Sequence, residues 1–288
     1  MREAKKYKLG AFLEAGGNKV FFVNGVLSIL NKENIRIDML VGSSSAAPIL
    51  LAYLLHQNTD ALQLFAAKLD HNKRNFYLVH RPHFPHNKIY KDSVSYLVRE
   101  YQSKKTDGHF IIFGAQMRPN LSVLEGWLAT LFLIVRYGLG INLLGMFRRL
   151  FKVHEMRITE RDTLGSVEMT NFILGSSTIY PFINLHRMRG SLILEGALLD
   201  MPYDEMLSGC EKKIVIHTKR GITQIVKDTL HIYADQAIPN DVLDYTGGAR
   251  VIWLHRLGET VMRQNLVLLK NFIEPASVQG ESLDRQNP

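Results

Sequence analysis

The chain has 288 residues, 46% of them hydrophobic and 22% charged, ordinary proportions that exclude collagen-like, disordered and disulfide-scaffold classes. Lys and Arg outnumber Asp and Glu 35 to 27, a formal net charge of +8, which favours anionic partners such as nucleic acid or an acidic lipid surface. A lone cysteine, Cys210, excludes an internal disulfide and fits a reducing compartment.

Met1 to Lys8 lead into an apolar run of five residues, Leu9 to Leu13. A signal-peptide core needs roughly 7–15, so a cytoplasmic protein is expected, peripheral to the membrane if it meets one. Lys8 to Glu14 reads as a buried strand running into Gly16-Gly17. Phe21, Val23, Val26, Leu27, Ile29 and Leu30 recur at helical spacing and predict a helix ending near residues 31–34. Ile37 to Val41 is a second apolar strand; Gly42 and three serines break it, and Ala46 to Leu55 resumes as an apolar helix. This alternation predicts a parallel sheet with crossover helices.

Further strands are expected at His109–Phe113, Leu192–Leu194, Ile214–His217 and Val251–His255, the last two as buried runs flanked by charge. Ser166 to Ser177 reads as a helix that stops before Pro181. No repeat, low-complexity block or Pro/Gly/Ser linker divides the chain, so one domain over 1–274 with a polar tail over 275–288 is expected.

Gly126 to Phe147 departs from the pattern: its 22 residues carry one charge, Arg136, and Arg148, Arg149 and Lys152 follow. A spanning helix needs about 20 apolar residues, and Gly138 and Gly140 interrupt this one. The segment, within an insertion at about 120–152, reads first as a buried helix pair or a flap over an apolar pocket. The second reading is a membrane-surface element, with Trp127, Phe132, Arg148 and Arg149 touching lipid. His80, His83 and His86 form a ladder, but Pro82 and Pro85 force an extended path that works against a single tetrahedral metal site. His109, His217 and His255 lie in strand-like runs and read as core or strand-end residues, and Cys210 lacks the surroundings of a nucleophile.

Gly42-Ser43-Ser44-Ser45-Ala46 lies between a predicted strand and a predicted helix, the context of a nucleophile elbow. Strand and helix pack closely there, so small residues must flank the nucleophile; Gly42 and Ala46 single out Ser44, two residues from each. A serine hydroxyl needs a base and oxyanion donors. Backbone N–H groups of Gly16, Gly17 and Asn18 at a strand–helix turn suit the second role, and Lys19 adds positive charge. The same loop lacks the spacing of a P-loop or a dinucleotide fingerprint, and no acidic residue ends the second strand as a dinucleotide site would require.

Three motifs together resemble the patatin-like phospholipases. Ala15-Gly16-Gly17-Asn18-Lys19-Val20 is similar to the family's Gly-Gly-Gly-x-Arg-Gly loop, and Ile37 to Ser44 to its strand and elbow. Glu195-Gly196-Ala197, with Pro202 behind it and Ser176 to Pro181 ahead, resembles the family's Asp-Gly-Gly/Ala motif. The resemblance implies a three-layer α/β/α fold with a mostly parallel sheet and an early elbow. It also implies a Ser–acid dyad without histidine, metal or cofactor: Ser44 as nucleophile, Glu195 as base, and Gly16 to Lys19 as oxyanion hole. Four departures stand out, the first being Ala15 in place of the loop's first Gly. Glu195 replaces Asp and is one methylene longer, so its carboxylate is expected about 1 Å out of line, with Asp200 as a fallback carboxylate. Lys19 lacks the guanidinium fork, and Val20 must be helical or strained.

The expected activity is hydrolysis of phospholipid or other fatty-acyl esters at an anionic membrane surface. The alternatives are a catalytically impaired lipid-binding scaffold and a soluble short-chain esterase or thioesterase. The basic clusters Lys5–Lys8, Arg148–Lys152 and Lys212–Lys213 lack the module or interleaved aromatics of a nucleic-acid binder.

Overall fold

The computed structural model describes residues 6–78, 83–104, 106–117, 123–239 and 243–274. His80 and the 275–288 tail lie outside them.

The strands are β1 (Tyr7–Leu13), β2 (Met39–Gly42), β3 (His109–Met117), β4 (His154–Thr159), β5 (His186–Met188), β6 (Ser191–Leu194), β7 (Cys210–Arg220), β8 (Gln224–Val226) and β9 (Thr229–Ala234). The helices are α1 (Val20–Lys32), α2 (Ala46–Leu54), α3 (Asn58–Asp70), α4 (His86–Ser103), α5 (Val123–Leu139), α6 (Leu144–Phe151), α7 (Ser166–Gly175), α8 (Tyr203–Met206), α9 (Ala249–Gln264) and α10 (Leu266–Ile273). All nine strands join one sheet in the order β5-β6-β3-β2-β1-β7-β9-β8, with β4 also on β3. The central pairs β3–β2, β2–β1, β1–β7 and β7–β9 are parallel. The β3–β4, β3–β6, β5–β6 and β8–β9 pairs are antiparallel.

Successive residues of a strand point to opposite faces, and here both faces are covered. Leu9, Ala11 and Leu13 of β1 and Leu40 of β2 join a large core with α1, α2, α4, α7 and α9. Val41 of β2 and Ala115 of β3 join a second core with α5, α6 and the turn after β6. Helices on both faces of a mostly parallel sheet make three layers, because a two-sided apolar sheet must be covered twice. Among the described residues, no helix is long and apolar enough to cross a membrane.

One expected element is different. Val251–His255 lies inside α9 rather than in a strand. Its apolar run is one stretch of a helical stripe, with Val251, Leu254, His255, Gly258, Val261 and Met262 buried at spacings of three and four. Five residues cannot separate a buried strand from a buried helix by periodicity; the longer window does. The stripe packs on α1, whose residues Val20 to Leu30 are all buried.

That crossing depends on two glycines. A Cβ on Gly25 of α1 would overlap the His255 carbonyl oxygen, and one on Gly258 of α9 would overlap that of Phe22. Gly258→Ala gains about 1 kcal/mol of helix propensity, but the backbones must separate, and overpacking costs about 1–3 kcal/mol before larger shifts. Gly258→Val adds a β-branched side chain to the same clash. Both variants should therefore lower the urea midpoint, the valine variant more, in equilibrium denaturation followed by circular dichroism.

Candidate active site

β2 delivers the chain to Gly42, and α2 begins four residues later. The turn is tight: a Cβ on Gly42 would sit 3.2 Å from the Cβ of Ala46. Ser44 has φ 53°, a left-handed conformation that a residue with a side chain adopts only when its surroundings over-determine it. Two hydrogen bonds from other elements hold its backbone. Ser44 N–H donates to Ser176 Oγ at 3.2 Å, and the Tyr90 hydroxyl donates to the Ser44 carbonyl at 3.3 Å.

Glu195 follows directly on β6 and caps the short 3-10 turn Gly196–Leu199. Ser44 Oγ donates to Glu195 Oε2 at 2.9 Å across 151 residues of sequence, and Ala197 N–H donates to Oε1 at 3.4 Å. The extra methylene of glutamate does not hold the carboxylate out of line. Ser176 braces both sides: its carbonyl accepts the Gly196 N–H at 3.1 Å while its hydroxyl accepts the Ser44 N–H. Gly196 must be small, since a Cβ there would lie 2.5 Å from Ser43 Oγ. Both side chains are buried. Burial pushes the Glu195 carboxyl up to about 8, opposed only in part by the hydrogen bonds from Ser44 and Ala197.

The Gly16–Lys19 loop lies beside the elbow, but its four residues are not equivalent. Gly16 N–H donates to Ser45 Oγ at 3.2 Å, and Lys19 N–H donates back to the Gly16 carbonyl at 3.1 Å. Neither is a free oxyanion donor, which corrects the expectation for Gly16. The backbone N–H groups of Gly17 and Asn18 meet no acceptor among the described residues. The Asn18 side chain points elsewhere, donating to the Asp244 carbonyl at 2.6 Å. Gly17 takes φ 55°, where glycine costs least. Val20 is helical at φ −59°, so the absence of the loop's last glycine causes no strain. Lys19 is partly buried, which lowers its ammonium below the ordinary lysine range.

A narrow cavity of about 40 Å³ adjoins this loop, lined by Gly17, Asn18, Ser45, Pro48, Tyr90 and Leu97 among others. On this measure a water-sized group needs about 10–15 Å³, so the cavity holds about three. A buried hydroxyl beside two unengaged amides, a paired carboxyl and an apolar cavity is an arrangement suited to acyl transfer.

The Patatin-like phospholipase family model matches residues 12–207, about two-thirds of the chain. The chain belongs to the patatin-like phospholipase family. No individual curated protein matches it. Patatin-like phospholipases act on lipid esters, and the fold agrees with that membership.

Other expected residues fall into place around this patatin-like core. Asp200 is exposed and ion-paired to Arg136 at 2.6 Å, away from Ser44's partner carboxylate. Residues 126–147 supply none of the cavity's lining, so they do not roof the apolar pocket. Trp127 stacks edge-on to Tyr180, and Phe132 packs on Phe147. Arg148 donates to the Leu199 carbonyl at 2.8 Å, whereas Arg149 is exposed. His83 bonds the Tyr77 carbonyl and His86 that of Leu243, at 2.9 and 2.8 Å, so these two rings do not converge on one point. His109 starts β3 and pairs with Glu160 at 2.6 Å; His217 is buried in β7, and His255 is buried on a helix. Cys210 is buried at the start of β7. Lys213 pairs with Asp204 and Asp228, at 2.9 and 3.3 Å, so the Lys212–Lys213 cluster serves the fold.

Sequence reasoning missed Ser45, Ser176 and Tyr90 as site residues. Ser45 lies in the serine turn and Ser176 in the segment ahead of Glu195, and only their hydrogen bonds distinguish them from spacers. Tyr90 sits in α4 with no local signal; its hydroxyl also meets Ser177 Oγ at 2.8 Å.

The raised Glu195 carboxyl has a consequence for stability. In the unfolded chain a glutamate titrates near about 4.3. Between there and about 8 the folded protein holds a proton that the unfolded chain has lost. Stability from this group is therefore complete below the unfolded value and is lost as pH rises through the folded one. Glu195→Gln removes the titration. Its melting temperature relative to wild type should rise by several degrees from about pH 5 to about pH 9 in calorimetric scans.

Proposed function

We propose that the protein is a serine acyl hydrolase of phospholipid or other fatty-acyl esters, of phospholipase A or lysophospholipase type, working peripherally at an anionic membrane surface. The single observation behind this reading is the 2.9 Å hydrogen bond from Ser44 Oγ to Glu195 Oε2 inside a strained elbow. Ser44 Oγ attacks the ester carbonyl carbon as its proton passes to the Glu195 carboxylate. The N–H groups of Gly17 and Asn18 hold the oxyanion at the start of a short helical turn that runs into α1, and the Lys19 charge lies close by. The tetrahedral intermediate collapses, the Glu195 proton goes to the departing alkoxide, and an acyl-serine remains. Water, deprotonated by Glu195, attacks that ester and releases the fatty acid, returning the hydroxyl to Ser44.

The base must be ionised to act, and burial sets that limit. With its carboxyl at about 8, only about one tenth of the free enzyme is in the active form at pH 7. The pH profile of kcat/KM should accordingly rise tenfold per pH unit on its acid side and bend near 8.

A second reading, a hydrolase of short acyl esters or thioesters, draws on the small volume of the cavity beside Ser45. A chain-length series of p-nitrophenyl esters, run beside phospholipid vesicles, separates the two. A fluorophosphonate probe should label wild type and leave Ser44→Ala unlabelled. Glu195→Gln should lower kcat by about 10²–10⁴-fold. Glu195→Asp should also lose activity, because removing a methylene withdraws the carboxylate from a contact the glutamate already makes. Labelling of Ser44→Ala at the wild-type rate would refute the mechanism, and a faster Glu195→Asp would refute the positioning.

A further inference from the structure

Between Gly126 and Val153 the chain contains four cations, Arg136, Arg148, Arg149 and Lys152, and no Asp or Glu. α5 buries Ala129 and Leu133 against the sheet. Its opposite side is apolar as well: Leu124, Trp127, Leu131 and Ile134, at spacings of three, four and three, are 62%, 49%, 52% and 59% exposed. The stripe continues through Leu139 and Ile141 to Met146 and Leu150 of α6, all exposed. A surface helix of a water-facing protein is polar on its outer side. A helix apolar on both sides either is covered by something or lies in a bilayer interface.

The surrounding charge decides what covers it. Arg149 and Lys152 are exposed and make no hydrogen bond or ion pair among the described residues. They lie at the end of α6, beside outward-facing Leu150. An apolar stripe with a tryptophan, bordered by unengaged cations and with Glu125 at its very start as its one carboxylate, matches a bilayer whose surface carries anionic headgroups. At 17 residues, α5 is about 25 Å long, shorter than the about 30 Å hydrocarbon layer, so it suits lying along the interface rather than crossing it.

We propose that the outer face of α5 and α6 docks on an anionic phospholipid bilayer, with its apolar stripe in the headgroup–acyl boundary and Arg149 and Lys152 on lipid phosphates. The proposal deepens the lipid-hydrolase reading, which it takes as its basis, by naming the surface through which the enzyme meets its substrate. Two arginines tie this face to the site. Arg136 donates to the Ala197 carbonyl at 3.3 Å and pairs with Asp200, while Arg148 donates to the Leu199 carbonyl. These carbonyls belong to the turn whose Ala197 N–H holds Glu195 Oε1. Docking therefore fixes the orientation of the dyad's turn relative to the bilayer.

The test is flotation of the full chain with phosphatidylcholine vesicles, with and without phosphatidylglycerol, using Ser44→Ala so that lipid is not consumed. Flotation should require phosphatidylglycerol. It should fall at least about tenfold in Leu131→Glu/Ile134→Glu and in Arg149→Glu/Lys152→Glu. In the active background, both double variants should hydrolyse soluble p-nitrophenyl butyrate at the wild-type rate. The chain has two tryptophans, so in Trp253→Phe the emission reports Trp127 alone. It should shift to the blue on adding vesicles and be quenched by brominated lipid, a readout that needs no charged variant. Flotation that survives both double variants, or Trp127 emission indifferent to vesicles, overturns the docking surface. So does a stable dimer that shields Trp127 and leaves the vesicles unbound. Absent fluorophosphonate labelling with intact flotation would instead count against the hydrolase reading.

Discussion

The structure turns on a carboxyl group almost wholly enclosed by protein. Glu195 is buried with a hydroxyl and an amide hydrogen donor as its close polar company. An ionised carboxylate there lacks the hydration it would have at the surface, which is why its proton is held so firmly. The same seclusion strengthens the contact with Ser44, because an electrostatic interaction gains as its surroundings become less polar. Reactivity and cost therefore have one origin. A more open site would ionise the base more readily and hold the hydroxyl less well.

Keeping these groups in register falls to atoms with no part in proton transfer. Ser176 holds the elbow with its side chain and the glutamate turn with its main chain, so Ser44 and Glu195 share one support. Tyr90 reaches from α4 to the Ser44 carbonyl, and Ser45 ties the glycine loop to the elbow. Where elements approach most closely, side chains are reduced to hydrogen: Gly42 under Ala46, and Gly196 against Ser43. The contacts of Ser44 with Ser176 and of Ser43 with Gly196 join segments more than a hundred residues apart, which places them beyond the reach of periodicity.

That division explains what could be read from the chain. The strand–turn–helix order over the first sixty residues was legible because its signals are short-range: apolar runs, a glycine pair, a serine turn. Ser44 was legible by spacing between small residues. The carboxyl partner was not; nothing local to Glu195 says what it faces, and only the family resemblance pointed to it. The helix α9 was misread as a strand because Val251 to His255 is equally apolar in either conformation. The glycine loop was legible as a group of donors but not donor by donor, since Ser45's claim on Gly16 is a tertiary contact. The reach of the Glu195 carboxylate escaped sequence reasoning because backbone placement, and not chain length alone, sets it.

The part of the chain that carries the family's likeness ends at residue 207, but the fold does not. β1, which leads into the glycine loop, has β7 as one of its two neighbours, and β7 starts at Cys210. The inner side of α1, which follows that loop, rests on α9. An excised 12–207 fragment would keep only Phe12 and Leu13 of β1, lose β7 beyond it and leave α1 uncovered. Residues 210–273 are thus masonry behind the glycine loop, and the recognisable segment is not a separable unit.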